Sequence, residues 1–121
     1  MRVRAYVEHP LYSQPAIEDW IQRMCHQGLD MKIMKGPEFY FATSEINRGW
    51  TATAIIEFSH ISLHIWELEG LIEFDAFSCK DFDVPLVMEF IKEFCPIKVL
   101  YDVTDRETDF KEWKYETKGI S

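Results

Sequence analysis

Apolar and polar residues alternate along several short stretches of this chain, which predicts a protein rich in β-strands. The predicted strands cover residues 3–7, 31–34, 51–58, 61–66, 71–78 and 97–103. The stretch 38–43 fits either another strand or a loop. Gly36-Pro37 is expected to end the strand before it, because both residues interrupt regular structure.

Two other segments repeat apolar residues every three or four positions, which predicts amphipathic helices. The first begins after Ser13, a good helix N-cap, and ends near Gly28. The second begins after Asp83 and ends before Pro96, because proline cannot continue a helix. The expected buried stripes are Ile17, Trp20, Ile21 and Met24 in the first helix and Val87, Phe90, Ile91 and Phe94 in the second.

The order of these elements predicts a single domain over residues 1–121 with an α+β two-layer sandwich, a mostly antiparallel sheet carrying two helices on one face. A single sheet of this kind leaves one face uncovered, which predicts a homodimer. After Thr104 the chain is mostly polar, although Phe110, Trp113 and Tyr115 could dock on the body.

Composition and charge narrow the class of function. A net charge of -8 argues against nucleic-acid binding, which needs a basic surface, and no apolar run is long enough to span a membrane. The three cysteines form no CxxC pair, so neither a disulfide framework nor a metal site is expected. With no signal-peptide core at the N-terminus, a reducing cytoplasm is predicted. Cys25 and Cys95 are expected to be buried structural thiols.

The segment 55–79 combines reactive residue types at fixed spacing. Ser59 precedes His64 by five positions and Cys79 by twenty, and the intervening pattern Ser-His-x-x-x-His-x-Trp ends at Trp66. This segment resembles the prokaryotic S-adenosylmethionine decarboxylases, whose signature continues with a glycine, an aspartate and Thr-Cys-Gly. The corresponding residues here are Gly70, Asp75 and Ser78-Cys79.

The resemblance implies a pyruvoyl enzyme that needs neither a metal nor pyridoxal phosphate. The chain would cut itself between Phe58 and Ser59 into residues 1–58 and 59–121, and Ser59 would become the pyruvoyl group. Its ketone would condense with the substrate amine and take up the electron pair left by carbon dioxide. His64 would help to remove the Ser59 α-proton, and Cys79 would protonate the substrate carbon.

The same resemblance implies a homodimer with sites near the interface and S-adenosylmethionine as substrate, for spermidine synthesis. Ile56 and Trp66 would line the pocket, and Trp50 could stack on the adenine. Glu73 and Asp75 are interpreted as alternate residues of an exposed strand face.

Five positions depart from the family pattern. Phe58 replaces the glutamate before the serine, and Leu68 stands where an acid binds the ribose. Lys80 replaces the glycine after the cysteine, and Ile65 and Glu67 replace threonine and proline. Two alternatives therefore remain open. One is a pyruvoyl decarboxylase of a basic amino acid such as ornithine or arginine, and the other is a homologue that binds a ligand without processing.

Overall fold

The computed structural model describes residues 1–105 and 111–114, which form one six-stranded antiparallel sheet and two α-helices. The strands are β1 (Arg2–Tyr6), β2 (Ile33–Ala42), β3 (Gly49–Ile56), β4 (Ser59–Trp66), β5 (Leu71–Phe77) and β6 (Lys98–Asp102). The helices are α1 (Gln14–Arg23), which continues as a π-helical turn (Met24–Gly28), and α2 (Val84–Ile91), which continues as a 3-10 turn (Lys92–Phe94). The strand order is β2-β3-β4-β5-β1-β6, and the predicted fold class is confirmed.

One face of the sheet, here called the helix face, packs against both helices. Trp20 of α1 makes an edge contact with Phe74 of β5 at 5.5 Å, and its indole N–H donates to the Phe90 carbonyl of α2 at 2.9 Å. Burying an apolar side chain of this size contributes about 1.5–3 kcal/mol. The strand residues buried on the helix face are Val3, Ala5, Ala52, Ala54, Ile56, Ile61, Leu63, Ile65, Ile72, Phe74 and Ala76. The opposite side of the sheet is called the open face.

Both predicted helix caps are present. The Ser13 hydroxyl accepts the Ala16 N–H at 3.3 Å, and the Asp83 carboxylate accepts the Leu86 N–H at 3.3 Å. Each cap satisfies a backbone donor that has no partner within its helix. The cap residues therefore fix the starts of α1 and α2 as the sequence predicts.

Two predictions about local structure are wrong. Gly36-Pro37 does not end a strand, because β2 continues through it to Ala42 with register shifts against β3. β2 lies at the edge of the sheet, where a proline and an irregular ladder are tolerated. Cys95 is exposed rather than buried, because it leaves the 3-10 turn in a left-handed conformation with φ of 54°.

The predicted burial of Cys25 is confirmed, with no measurable exposure. Of the three tail aromatics, Trp113 is exposed, and Phe110 and Tyr115 lie outside the described residues. Among the helices of the described part of the chain, none is both long and apolar enough to cross a membrane.

Candidate active site

Ser59 is the first residue of β4 and follows a two-residue turn formed by Glu57 and Phe58. Its side chain points to the helix face, and the residue is 7% exposed, the lowest exposed fraction of any polar residue in the described part of the chain. The hydroxyl oxygen accepts a hydrogen bond from the backbone N–H of Cys79 at 3.2 Å. Of the predicted catalytic residues, the structure thus brings Ser59 and Cys79 together.

The residue before Ser59 is strained and open to solvent. Phe58 has a φ of 52°, which places it in the left-handed region, and its residue surface is 90% exposed. For a residue other than glycine this conformation costs about 1–2 kcal/mol. The peptide bond expected to be cut therefore follows a strained residue in an accessible turn.

Cys79 lies in the exposed loop between β5 and α2, with a free thiol. The next residue, Lys80, donates from Nζ to the Asp30 carbonyl at 2.6 Å, which ties this loop to the segment after α1. Within the loop, the Lys80 N–H donates to the Ser78 hydroxyl at 3.0 Å. Cys79 is consequently held from two sides, by Ser59 and by the anchored Lys80.

His64 is on the open face, whereas Ser59 is on the helix face of the same strand. Five residues of a β-strand span roughly 17 Å, so the imidazole of one chain does not reach its own Ser59. His64 Nδ1 instead lies 3.0 Å from the Thr51 hydroxyl, and the imidazole packs near the Trp66 ring at 5.5 Å. The approach of His64 to Ser59 that the resemblance implies is thus not present within a single protomer.

A cavity of about 460 Å³ opens on the same face as His64. Its lining includes the polar residues Arg2, Arg4, Ser62, His64, Glu73, Asp75, Tyr101 and Asp102. Ser59 and Cys79 do not line it, because they belong to the other end of β4 and to the loop after β5. Arg4 pairs with Glu73 at 2.6 Å, and this hydrogen-bonded contact raises the pKa of Arg4.

The three predicted pocket residues are distributed over both faces. Ile56 is 1% exposed in the core, and Trp50 is half-buried with its indole N–H donating to the Tyr12 carbonyl at 3.0 Å. Trp66 lies on the open face beside His64. One chain therefore does not gather Ile56, Trp50 and Trp66 into one pocket.

The structure also describes the turn in which Leu68 replaces the family's ribose-binding acid. Leu68 is 64% exposed in the turn after β4, and the neighbouring Glu67 has a nearly buried side chain. Glu67 accepts from Arg48 Nε at 3.0 Å, and the Arg48 guanidinium lies over the Phe41 ring. Glu67 is therefore used to join the ends of β3 and β4.

Sequence reasoning overlooked Thr51 as the partner of His64. The local signal is the two-residue turn at 57–58, which fixes the register of the hairpin, but these residues were wrongly included in the predicted strand 51–58. Ile56 pairs with Ser59, and counting outward from that pair places Thr51 opposite His64. The contact between Cys79 and Ser59 carries no such local signal, since it depends on how the loop after β5 folds back.

Across residues 1–105 and 111–114, no cluster of three or more His, Cys, Asp or Glu side chains could hold a metal ion.

Comparisons with known proteins agree with this fold. The crystal structure of the adenosylmethionine decarboxylase from Aquifex aeolicus VF5 superimposes with a TM-score of 0.64, covering 90% of this chain and 93% of that one at 14% identity. No curated protein matches the chain significantly.

The family assignment rests on a sequence match to most of the chain. The family model described as S-adenosylmethionine decarboxylase matches residues 5–107, a range that includes both helices, strands β2 to β6, the last two residues of β1 and the segment from Ser59 to Cys79. The resemblance found in that segment is thereby confirmed. This chain belongs to the S-adenosylmethionine decarboxylase family of enzymes.

Proposed function

We propose that this chain decarboxylates S-adenosylmethionine with a pyruvoyl group that it makes from its own Ser59, as a homodimer in the cytoplasm. The observation that carries the proposal is the hydrogen bond from the Cys79 N–H to the Ser59 hydroxyl, directly behind the strained Phe58 turn. The nucleophilic hydroxyl, the exposed turn before the bond to be cut and the backbone of the residue that carries the thiol meet there. The product would serve as the aminopropyl donor in spermidine synthesis.

Self-cleavage begins with attack of the Ser59 hydroxyl oxygen on the Phe58 carbonyl carbon. The new C–O bond replaces the peptide bond, and the hydroxyl proton ends on the Ser59 nitrogen. A base then removes the Ser59 α-proton, and the bond between Cβ and Oγ of residue 59 breaks, so that Phe58 leaves with this oxygen as a C-terminal carboxylate. The remaining enamine shifts to an imine, which water hydrolyses to ammonia and the pyruvoyl group.

His64 of a second copy is the proposed base for the α-proton. Within one chain the two residues lie on opposite faces of β4, so a partner whose own open face lies against the Ser59 end of the sheet would supply the imidazole. The Thr51 hydroxyl, 3.0 Å from Nδ1, orients the ring and leaves Nε2 for proton transfer. This arrangement makes dimerisation a requirement for processing.

The surroundings of Ser59 fit a pyruvoyl group at that position. A cut at the turn leaves residue 59 as the first residue of a paired strand, and the Cys79 N–H remains to bind an oxygen there. The group supplies a keto carbon for the substrate amine and an acceptor for the electron pair released with carbon dioxide. The exposed Cys79 thiol returns a proton to the substrate carbon.

A second candidate substrate is a basic amino acid such as ornithine or arginine. The observation that favours it is the loss of the ribose-binding acid, since Leu68 is exposed and Glu67 is committed to Arg48. A substrate without a ribose would not need that carboxylate.

Intact-mass spectrometry of freshly purified full-length protein tests the processing step. We expect two polypeptides, residues 1–58 and 59–121, the second blocked by pyruvoyl, and a single uncut chain for Ser59→Ala. Release of labelled carbon dioxide from carboxyl-labelled S-adenosylmethionine, ornithine and arginine then identifies the substrate.

A wild-type chain that stays uncut after long incubation would contradict the proposal. It would leave the third reading, a homologue that binds its ligand without catalysis, for which thermal stabilisation by S-adenosylmethionine is the expected sign.

A further inference from the structure

Glu57, the first residue of the turn before Ser59, is joined to Lys32 by two hydrogen bonds. The Glu57 N–H donates to the Lys32 carbonyl at 3.2 Å, and the Glu57 carboxylate accepts the Lys32 N–H at 2.7 Å. The first bond extends the pairing of β2 with β3 beyond the Ile33–Ile56 pair. In the second bond, the Glu57 carboxylate takes the place of a backbone carbonyl as the acceptor of the Lys32 N–H. The two bonds together attach the turn to the residue before β2.

The strained conformation of Phe58 has to be imposed from outside its own side chain. The Phe58 residue is 90% exposed, so packing of its ring does not hold the φ of 52°. On the following side, Ser59 is fixed by its pairing with Ile56 and by the Cys79 N–H. On the preceding side, the bonds of Glu57 to Lys32 supply the matching constraint. A residue held from both sides keeps a conformation that it would otherwise leave.

We infer that Glu57 is a positioning residue for self-cleavage, because its bonds to Lys32 hold Phe58 in the strained turn from which the peptide bond to Ser59 breaks. The inference rests on the proposed self-cleavage. Glu57 does not touch the reacting atoms and acts through Phe58. The acyl shift moves the Phe58 carbonyl from nitrogen to the Ser59 oxygen, and the ester frees the turn from its strain. Strain in the intact turn therefore raises the free energy of the uncut chain and lowers the barrier to the transition state of the acyl shift.

The test follows the cleavage of full-length chains made by cell-free translation and quenched at timed intervals. Glu57→Ala is expected to lengthen the half-time of cleavage by about tenfold, the loss expected for one hydrogen bond. Glu57→Gln keeps an oxygen that can accept the Lys32 N–H and should remain close to wild type. Glu45→Ala removes an exposed carboxylate from another loop and should change nothing.

A second variant separates strain from loss of structure. Phe58→Gly leaves both Glu57 bonds possible but adopts a positive φ without cost, so its cleavage should also be slower than wild type. In the uncut Ser59→Ala background, the same change should raise the melting temperature, whereas Glu57→Ala should lower it by only a few degrees.

The outcomes distinguish this inference from the proposed function. An uncut wild-type chain overturns both. A wild type that is cut while Glu57→Ala is cut equally fast overturns the role of Glu57 alone. If Glu57→Gln is cut as slowly as Glu57→Ala, the effect is due to the charge of Glu57 and not to its hydrogen bond. If Phe58→Gly is cut as fast as wild type, strain at Phe58 does not promote cleavage. Either result contradicts the inference.

Discussion

The environments of the three cysteines give them different chemistry. Cys25 has no exposed surface, and burial raises the pKa of its thiol to about 12. Cys79 and Cys95 are exposed and free. Because the thiolate is the reactive form, Cys25 should be inert in the folded protein while the other two remain open to reagents.

The pH dependence of stability should report the burial of Cys25. Its folded pKa lies above that of the unfolded chain, so the unfolded state releases this proton first as the pH rises. The contribution to the free energy of unfolding is complete below the unfolded pKa and falls by up to about 1.4 kcal/mol per pH unit above it, towards pH 12. Urea unfolding of the uncut Ser59→Ala chain at pH 7.5 and pH 10 measures this.

Other groups titrate in the same range, so the slope has to be compared with that of a Cys25→Val variant. The free energy of unfolding should fall more steeply with pH in the chain that keeps Cys25 than in the Cys25→Val variant. Equal slopes in the two chains, or alkylation of Cys25 by iodoacetamide in the folded protein, would contradict the prediction.

At the scale of elements, the loop after β5 depends on one long-range anchor. Lys80 Nζ donates to the Asp30 carbonyl, and its charge lies 3.6 Å from the Asp30 carboxylate, which is almost fully exposed. An exposed ion pair of this kind contributes little to stability, usually below about 1 kcal/mol. The bond to the carbonyl nevertheless limits where Cys79 can lie relative to Ser59.

Removal of this anchor should impair turnover more than stability. Lys80→Ala is expected to lower kcat about tenfold while the melting temperature changes by only a few degrees, because a mispositioned thiol protonates the substrate carbon slowly. Steady-state kinetics of the processed enzyme checks this. Asp30→Asn is the matched control. It keeps the backbone carbonyl, and asparagine tolerates the positive φ of 54° at this position, so the variant should retain wild-type kcat. If Lys80→Ala turns over normally, the anchor does not position Cys79.

The sequence predicted those elements whose signals are local. Ser13 and Asp83 cap helices through neighbouring N–H groups, and alternation in β4 and β5 follows from the two faces of a strand. β2 continues through Gly36-Pro37 because it is an edge strand, and Cys95 is exposed because its backbone is left-handed. The pattern of apolar and polar side chains indicates neither the edge position nor the backbone conformation. The separation of Ser59 from His64 was missed because the predicted strand began at residue 61; once Ser59 belongs to the same strand, their odd spacing puts the two side chains on opposite faces.

At the scale of the whole molecule, the open face and the helix face divide the candidate catalytic groups between them. Ser59 and Cys79 belong to one end of the sheet on the helix side, and His64 with Thr51 lies on the open face. A single protomer thus carries two incomplete sets of groups. Two protomers related by a two-fold axis would complete both sets at once.

Co-expression of two inactive variants tests this division. His64→Ala and Ser59→Ala chains should each remain uncut when made alone. Made together, they form mixed dimers in which the intact His64 of one chain faces the intact Ser59 of the other, so His64→Ala chains should be cut. Mass spectrometry distinguishes the two variants by mass. An absence of cleavage in mixed dimers isolated through two different affinity tags would contradict action between protomers.

The order of the strands also determines what a cut after Phe58 leaves behind. Residues 1–58 supply β1, β2 and β3, and residues 59–121 supply β4, β5 and β6, yet β1 lies between β5 and β6. The two pieces are therefore interdigitated, and three ladders, β3–β4, β1–β5 and β1–β6, would have to open before they part. The cut would remove no strand pairing, so a processed protomer would behave as a naturally split protein. The covalent link between residues 58 and 59 would matter while the chain folds and hardly at all for the stability of the folded protein.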